Sequence, residues 1–107
     1  MYATLANGIT TATNGTYVAV QPVGATQPVM VEIFGKALGT AGAFSITFDI
    51  ETSGDGTTFT QVKEITIAGT AQSKPFALQH KVSAPFMRLN VTAISGTGAA
   101  LSATVRV

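Results

Sequence analysis

Residues 44–62, FSITFDIETSGDGTTFTQV, decide the fold class of this 107-residue chain. From 44 to 50, aromatic and branched apolar residues alternate with polar ones, so a β-strand here would bury one face and expose the other. The turn signal at 53–56, Ser-Gly-Asp-Gly, contains an Asp-Gly pair that tolerates positive φ, and Phe59 resumes the apolar pattern beyond it. The stretch predicts a β-hairpin, which we place at the centre of a small β-sandwich.

Shorter segments with the same alternation flank the hairpin. Turn-forming glycines and prolines separate them, and none has the period of an amphipathic helix. They lie at residues 17–23, 29–35, 76–82, 86–94 and 101–107. The sequence therefore predicts an all-β fold, namely a single antiparallel β-sandwich or jelly-roll-like domain of seven to eight strands.

Three expectations concern the connections between these strands. Residues 35–42 and 68–73 are rich in small side chains, so both are predicted to be loops. The apolar spacing slips after Val62, which indicates a bulge or a break near Lys63-Glu64. Residues 95–98, Ser-Gly-Thr-Gly, predict the turn of a final hairpin.

The first sixteen residues differ in character from the rest of the chain. They are mostly small and polar, and only Tyr2, Leu5 and Ile9 could anchor them. We predict that residues 1–16 form either an N-terminal arm, ordered against a neighbouring subunit, or a short first strand. Residues 17–107 are predicted to form the β-sandwich domain.

Charged residues make up only 10% of the chain, whereas a soluble domain typically has about 25%. With a net charge of +1, the sequence lacks the clustered Lys and Arg that bind nucleic acid or an anionic membrane. Either a threonine-rich surface is simply tolerated, or other subunits cover much of it, which would make the protein a homo-oligomer. The chain has no cysteine, and its first twenty residues do not resemble a secretory signal, so we expect synthesis without export.

Residues with catalytic or metal-binding chemistry are sparse. Asp49 and Glu51 would share one strand face about 7 Å apart, a spacing open to a hydrated cation or a glycosidase-like pair. A solvated strand face is the favoured interpretation. His80, the only histidine, falls on the apolar face of its strand, with no cysteine or second histidine to complete a zinc site. We therefore expect no enzyme activity, no metal and no cofactor.

Two further features are candidates for contacts. Arg88 should point outward from its strand, where pairing with Glu51 or Glu64 across the sheet is favoured and a contact with a neighbouring subunit is the second choice. Exposed aromatic residues could stack on a sugar. The candidates for such a platform are Tyr2, Tyr17 and one of Phe34 or Phe59.

Three stretches resemble small β-sandwich virion proteins of tailed bacteriophages: TATNGTYVAV at 11–20, IETSGDGTTFTQV at 50–62 and APFMRLNVTAISGTGAALSATVRV at 84–107. In that family a strand leads to S-x-DG-x-x-aromatic, which matches residues 53–59 here. A later strand reads aromatic-x-Arg-hydrophobic, which matches residues 86–89, before a final glycine-turned hairpin. The same pieces are similar, more weakly, to discoidin-like, galactose-binding jelly rolls.

The resemblance implies a structural virion protein made in the host cytoplasm. Its most direct implication is a capsid decoration or cement subunit that binds the major capsid protein or other virion proteins as a homo-oligomer, without contacting nucleic acid or a membrane. The alternatives are a glycan-binding or host-binding module of a tail or fibre, and a ring component of the tail or neck. The predicted subunit or capsid interface comprises Tyr2, Leu5, Ile9, Tyr17 and Arg88.

Overall fold

The computed structural model describes residues 2–24 and 27–107, and shows an all-β antiparallel sheet. The predicted all-β antiparallel class is therefore confirmed. In chain order the strands are β1 (Tyr2–Ile9), β2 (Thr13–Asn14), β3 (Val18–Ala19), β4 (Val29–Ser53), β5 (Thr60–Val82), β6 (Phe86–Thr97) and β7 (Ala100–Arg106).

β4 lies at the centre of the sheet. It pairs with β5 along almost its whole length on one side. On its other side it pairs first with β7 and then with β6. β1 pairs with β7, while β2 and β3 pair with β6. The chain thus forms four long antiparallel segments that lie side by side, since the N-terminal segment runs along β6 and β7 from end to end.

Each of the four segments passes through one bend, and the sheet curls strongly into a half-barrel. The bend interrupts the β4–β5 ladder between Gly39 and Ala43. We call the strand lengths on one side of it the first half and those on the other side the second half. The first half comprises residues 2–9, 29–39, 72–82 and 100–106, and the second half comprises residues 13–19, 43–53, 60–70 and 86–97. Counted in this way there are eight strand lengths, in agreement with the predicted seven to eight strands.

The hydrophobic core fills the concave side of the half-barrel. Alternate residues of each strand are apolar and point to this side, as the alternation in residues 44–50 predicts. The rings of Phe48 in the second half and Phe76 in the first half lie 5.8 Å apart, so the two halves contact one another through the core. The fully buried residues include Leu5, Val31, Ile33, Ile46, Phe48, Ile50, Leu89, Val91, Leu101 and Val105.

Phe44 occupies the inside of the bend, where three glycines make room for it. A Cβ atom added to Gly39 would lie 2.5 Å from Cδ1 of Phe44, and one added to Gly96 would lie 2.6 Å from its Cβ. An added Cβ on Gly69 would lie 3.1 Å from the ring. These glycines belong to β4, β6 and β5, so the three neighbouring strands each contribute one glycine to the bend.

The bend explains where the predicted connections were wrong. Residues 35–42 and 68–73 are not loops, because β4 and β5 continue through them as strands. Residues 95–98 do not form a hairpin turn, because β6 and β7 pair with different halves of β4 rather than with each other. The bulge predicted near Lys63 is confirmed, since the ladder shifts register between the pairs Ile50–Lys63 and Glu51–Gln61.

The N-terminal segment is part of the sheet. β1 pairs with β7 from Tyr2 to Ile9, with two register shifts, and Leu5 is buried in the core. The segment that the sequence left open between an arm and a first strand thus contains a strand. The domain boundary after residue 16 stays a prediction.

We expect Gly96→Ala to destabilise the fold. Gly96 has φ of 108°, and its added Cβ would also lie 2.8 Å from the carbonyl oxygen of Ala43. The free energy of unfolding, measured with urea, should fall by about 2–6 kcal/mol, because backbone strain and overpacking each cost about 1–3 kcal/mol. Gly54→Ala is the matched control, since nothing lies within 4 Å of its added Cβ and its φ is not positive. Equal stability of the two variants would contradict this account of the bend.

Candidate interaction surface

β5 forms one edge of the sheet over its full length of 23 residues. Within the described residues it pairs with β4 alone, so its other side presents backbone N–H and C=O groups to solvent. Such an edge can add a strand from another chain. A long unpaired edge strand is therefore the main candidate for protein contacts.

Apolar side chains line the inner face of this edge. Ile65 and Ile67 in the second half, with Phe76 and Leu78 in the first half, are only partly buried although they pack against the core. They are half-buried because β5 has no neighbour beyond it to cover them. A strand added there would remove apolar surface from water as well as satisfy the free backbone groups.

Charged residues and proline protect only parts of the edge. Lys63 and Glu64 lie on one side of an unprotected stretch, and Lys74 and Pro75 on the other. Residues 65–73 contain neither charge nor proline and include four β-branched residues. Proteins use edge lysines and prolines to prevent strand addition. Residues 65–73 supply none of these devices themselves, although Nζ of Lys74 donates a hydrogen bond of 2.8 Å to the carbonyl oxygen of Ala68.

A second candidate lies on the outer face of the second half, which we call the aromatic–arginine cluster: Tyr17, Phe59, Phe86, Arg88 and Glu51. The ring of Tyr17 lies 5.8 Å from that of Phe59 and 5.5 Å from that of Phe86, edge-on to the latter. The guanidinium of Arg88 lies 3.9 Å from the centre of the Phe59 ring. Stacking and cation–π contacts therefore hold the cluster together.

Glu51 fixes the orientation of Arg88. Nε of Arg88 donates a hydrogen bond of 2.7 Å to Oε1 of Glu51, and the amide of Asn90 donates a longer one of 3.4 Å to Oε2. This pairing confirms the favoured prediction for Arg88. Because Glu51 is largely buried, the pair is better shielded from water than the exposed pair that the sequence suggested. Oδ1 of the neighbouring Asp49 is buried without a hydrogen-bond partner among the described residues.

Hydrogen bonds to the side chains of Ser53 and Asp55 stabilise the turn between β4 and β5. Oγ of Ser53 accepts hydrogen bonds from the backbone N–H groups of Asp55 and Gly56 and donates one to Oδ1 of Asp55. Oδ1 of Asp55 also accepts the N–H groups of Thr57 and Thr58. The Thr58 and Thr57 amides, followed by the Ser53 hydroxyl, hold the pKa of Asp55 below its ordinary value.

His80 faces the concave side of the first half, opposite Val31. Burial lowers the pKa of His80, and the Lys63 ammonium lowers it further. Lys63 belongs to the second half, where it lies opposite Ile50 and faces the same concave side. The outer-facing Asp49 and Glu51 lie on the other side of the sheet from His80, so these acids and His80 do not converge.

A shallow groove lies on the outer face of the first half. It has a volume of about 480 Å³ and is lined mainly by small side chains, with Phe34, Lys36 and Pro75 among its walls. The ring of Tyr2 packs edge-on against Phe34, with centroids 6.2 Å apart. The groove could receive one or two side chains of a partner.

The five residues of the predicted interface do not form one surface. Tyr2 and Tyr17 are exposed, by 64% and 49%, but they lie on the outer faces of different halves. Leu5 is 1% exposed, so its side chain is not available at the surface of this chain, and Ile9 is half-buried. Arg88 contributes to the aromatic–arginine cluster. The interface therefore stays a prediction, and of its five residues only Tyr2 and Tyr17 are exposed.

Sequence reasoning missed the β5 edge and the groove beside Phe34. Residues 65–73 lack charge and proline, which does not mark a strand as an edge, and a stretch of small residues is typical of a loop. The groove depends on which strands are neighbours, and alternation along one strand does not specify the neighbour.

The comparisons with known proteins identify no relative. No protein-family model matches the sequence, and neither a curated protein nor a solved structure matches the chain. In residues 2–24 and 27–107, no group of three or more His, Asp or Glu side chains is placed to hold a metal ion. The same residues include no helix long and apolar enough to cross a bilayer.

We expect Asp55→Ala to lower the melting temperature at neutral pH, because three donors in the turn lose their acceptor. The folded pKa of Asp55 is depressed, so its contribution is complete above the ordinary carboxyl value and is lost as the pH falls through the lower, folded value. The difference between the two melting curves should therefore disappear in strong acid. Thr57→Ala is the control, because only the backbone of Thr57 takes part in the turn. If Asp55→Ala lowers the melting temperature equally at every pH, the ionised Asp55 carboxylate is not what stabilises the turn.

We expect Lys63→Gln to raise the pKa of His80, measured by NMR titration of the imidazole ring. Lys81→Gln is the matched control, because Lys81 follows His80 in sequence but faces the other side of the sheet. Since the folded pKa of His80 is depressed, stability should fall as the pH drops below the ordinary histidine value of about 6.5 and level off below the folded value. If Lys81→Gln shifts the pKa of His80 and Lys63→Gln does not, the assignment of His80 to the concave side is wrong.

Proposed function

We propose that this chain is a structural protein of a bacteriophage virion, a decoration or cement subunit that binds capsid proteins as an oligomer. In this role it is a binding protein and not an enzyme. It acts in the virion after synthesis in the host cytoplasm, and its partners are the major capsid protein or other virion proteins. The observation that carries the proposal is the unpaired β5 edge.

The β5 edge supports the proposal because it offers a long, repeated set of contacts. A strand from a capsid protein could pair with residues 65–70 and cover Ile65 and Ile67 at the same time. A single added strand would bind weakly, but several linked copies on a lattice would dissociate very slowly. The low charge of the chain also suits a surface that is covered in the assembled particle.

We also propose that the half-barrel is a member of the sandwich or jelly-roll-like class. The support is that both halves of the bent sheet contribute inward-facing residues to one core, with Phe48 and Phe76 in contact across it. In a sandwich two sheets pack face to face in the same way. Here the strands would be continuous from one layer to the other through the bend around Phe44.

A second candidate function is glycan or host binding by a tail or fibre module. The aromatic–arginine cluster favours it, because Tyr17 is 49% exposed beside a rigid turn and could stack on a sugar ring. A ring component of the tail or neck would use the same edge strand as a decoration protein. Calorimetry with a panel of sugars, and loss of any signal in Tyr17→Ala, would favour the glycan-binding function over the structural one.

The test is binding to capsids of the phage whose genome encodes the chain. We expect purified protein to sediment with the capsids in a saturable manner, at a fixed ratio to the major capsid protein. The double variant Ala68→Lys/Thr70→Lys should lose this binding, because both exposed positions lie in the unprotected stretch of β5 and edge lysines oppose strand addition.

The matched control is Thr10→Lys/Ala12→Lys, which adds the same charge at exposed positions outside β5. It should bind like the natural protein. Failure of the natural protein to bind capsids at any concentration would refute the decoration role. Equal loss in both double variants would mean that net charge, and not the β5 edge, governs binding.

A further inference from the structure

The charged side chains of this protein are sorted by face. The outer face of the first half carries Lys36, Lys81 and Arg106 with a single acid, Glu32. These residues share one face because cross-strand partners point to the same side of a sheet, and Glu32 lies opposite Arg106 while Lys36 lies opposite Ser102. We call this the basic face. Tyr2, Phe34 and the groove lie on it as well.

The outer face of the second half has the opposite sign. It carries Asp49, Glu51 and Glu64 with a single cation, Arg88, and the turn at its end adds Asp55. Asp49 lies opposite both Glu64 and Asn90, which places it on the outer side. We call this the acidic face. The aromatic–arginine cluster lies on it.

Ion pairs within each face leave an excess of one sign. Arg106 pairs with Glu32 on the basic face, which leaves Lys36 and Lys81 unbalanced. Arg88 pairs with Glu51 on the acidic face, which leaves Asp49, Glu64 and Asp55 unbalanced. The remaining cations, Lys63 and Lys74, lie opposite the inner-facing Ile50 and Ala37 and so belong to neither outer face. The low net charge of the chain thus conceals two faces of opposite sign.

We propose that copies of this chain associate head to tail, with the basic face of one copy against the acidic face of the next. The two faces lie on opposite sides of the shared core, so one chain can contact two neighbours at once. A two-fold dimer through either face would instead bring like charges together. Repetition of a head-to-tail contact gives a closed ring or an open filament.

Apolar groups add to the electrostatic match. The basic face offers a groove of about 480 Å³ beside the Tyr2–Phe34 pair, while the acidic face presents Tyr17, which is 49% exposed. Exposed aromatic residues are common at the centres of protein interfaces. Charges around the rim would then set the orientation and the aromatic residues would supply buried area.

The proposal deepens the structural role given above, since it specifies how the copies contact each other, but it uses different residues. Residues 65–73 of β5 are assigned to capsid proteins, whereas the charged residues of the two outer faces, including Glu64 and Lys81 elsewhere in β5, are assigned to neighbouring copies. Self-association in solution and binding to capsids can therefore be measured separately.

The test compares three variants by analytical ultracentrifugation. The first, Lys36→Glu/Lys81→Glu, makes the basic face negative. The second reverses the acidic face at exposed positions with Glu64→Lys, Gln61→Lys and Thr57→Lys. The third combines all five substitutions, so that both faces change sign and again attract each other. Circular dichroism and melting curves show whether each variant folds.

We expect the natural protein to self-associate, and the association constant to fall about tenfold or more in each of the first two variants, since attractive contacts become repulsive. The third variant should recover most of the lost association. For the natural protein the association should weaken as salt rises from about 0.01 M to about 1 M, because the Debye length falls from about 30 Å to about 3 Å.

Several results would overturn the proposal. A natural protein that stays monomeric at low salt and high concentration would do so, as would association that does not weaken with salt. Failure of the folded third variant to recover would exclude head-to-tail contact between these faces. If self-association follows the expected pattern but capsids are not bound, head-to-tail association stands and the decoration role fails. If a strictly monomeric protein binds capsids, the decoration role stands and head-to-tail association fails.

Discussion

The fold depends on the contact between Phe44 and the glycines that surround it. A four-stranded ribbon of this sequence could lie open, with its apolar face in water. The ribbon instead folds over, because Gly39, Gly69 and Gly96 leave space for one phenyl ring on the inside of the bend. The bend brings the apolar faces of both halves together, so that Phe48 reaches Phe76. The enclosed core, the unpaired edges and the two outer faces all depend on this close approach of Phe44 to the three glycines.

The same bend determines which surfaces stay unpaired. Four segments side by side must have two edges, and the β1 edge is broken by two register shifts while the β5 edge is long. Folding the ribbon also turns the polar sides of its halves away from each other. Charges that are interleaved in sequence, such as Lys81 and Arg88, are thereby delivered to opposite sides of the molecule. Binding surfaces on this fold are therefore consequences of topology as much as of composition.

Local features of the fold could be predicted from the sequence, whereas the pairing could not. Alternation identified the strands and the inward position of His80, and Asp-Gly identified the turn at Asp55, because these depend on neighbouring residues alone. The pairing of Arg88 with Glu51 was also predictable. The glycine-rich stretches at 35–42 and 68–73 were misread, because small residues suit both a loop and a strand that bends tightly around Phe44. The β5 edge and the two charged faces require knowledge of neighbours.

The pairing of β1 with β7 has a consequence for biosynthesis. Residues 2–9 are synthesised well before their partner strand, residues 100–106. The sheet beside Leu5 stays incomplete until residues 100–106 have emerged from the ribosome. Nascent chains would therefore remain immature until β7 has emerged, and its docking would act as a checkpoint that keeps products truncated before β7 from adopting the finished shape.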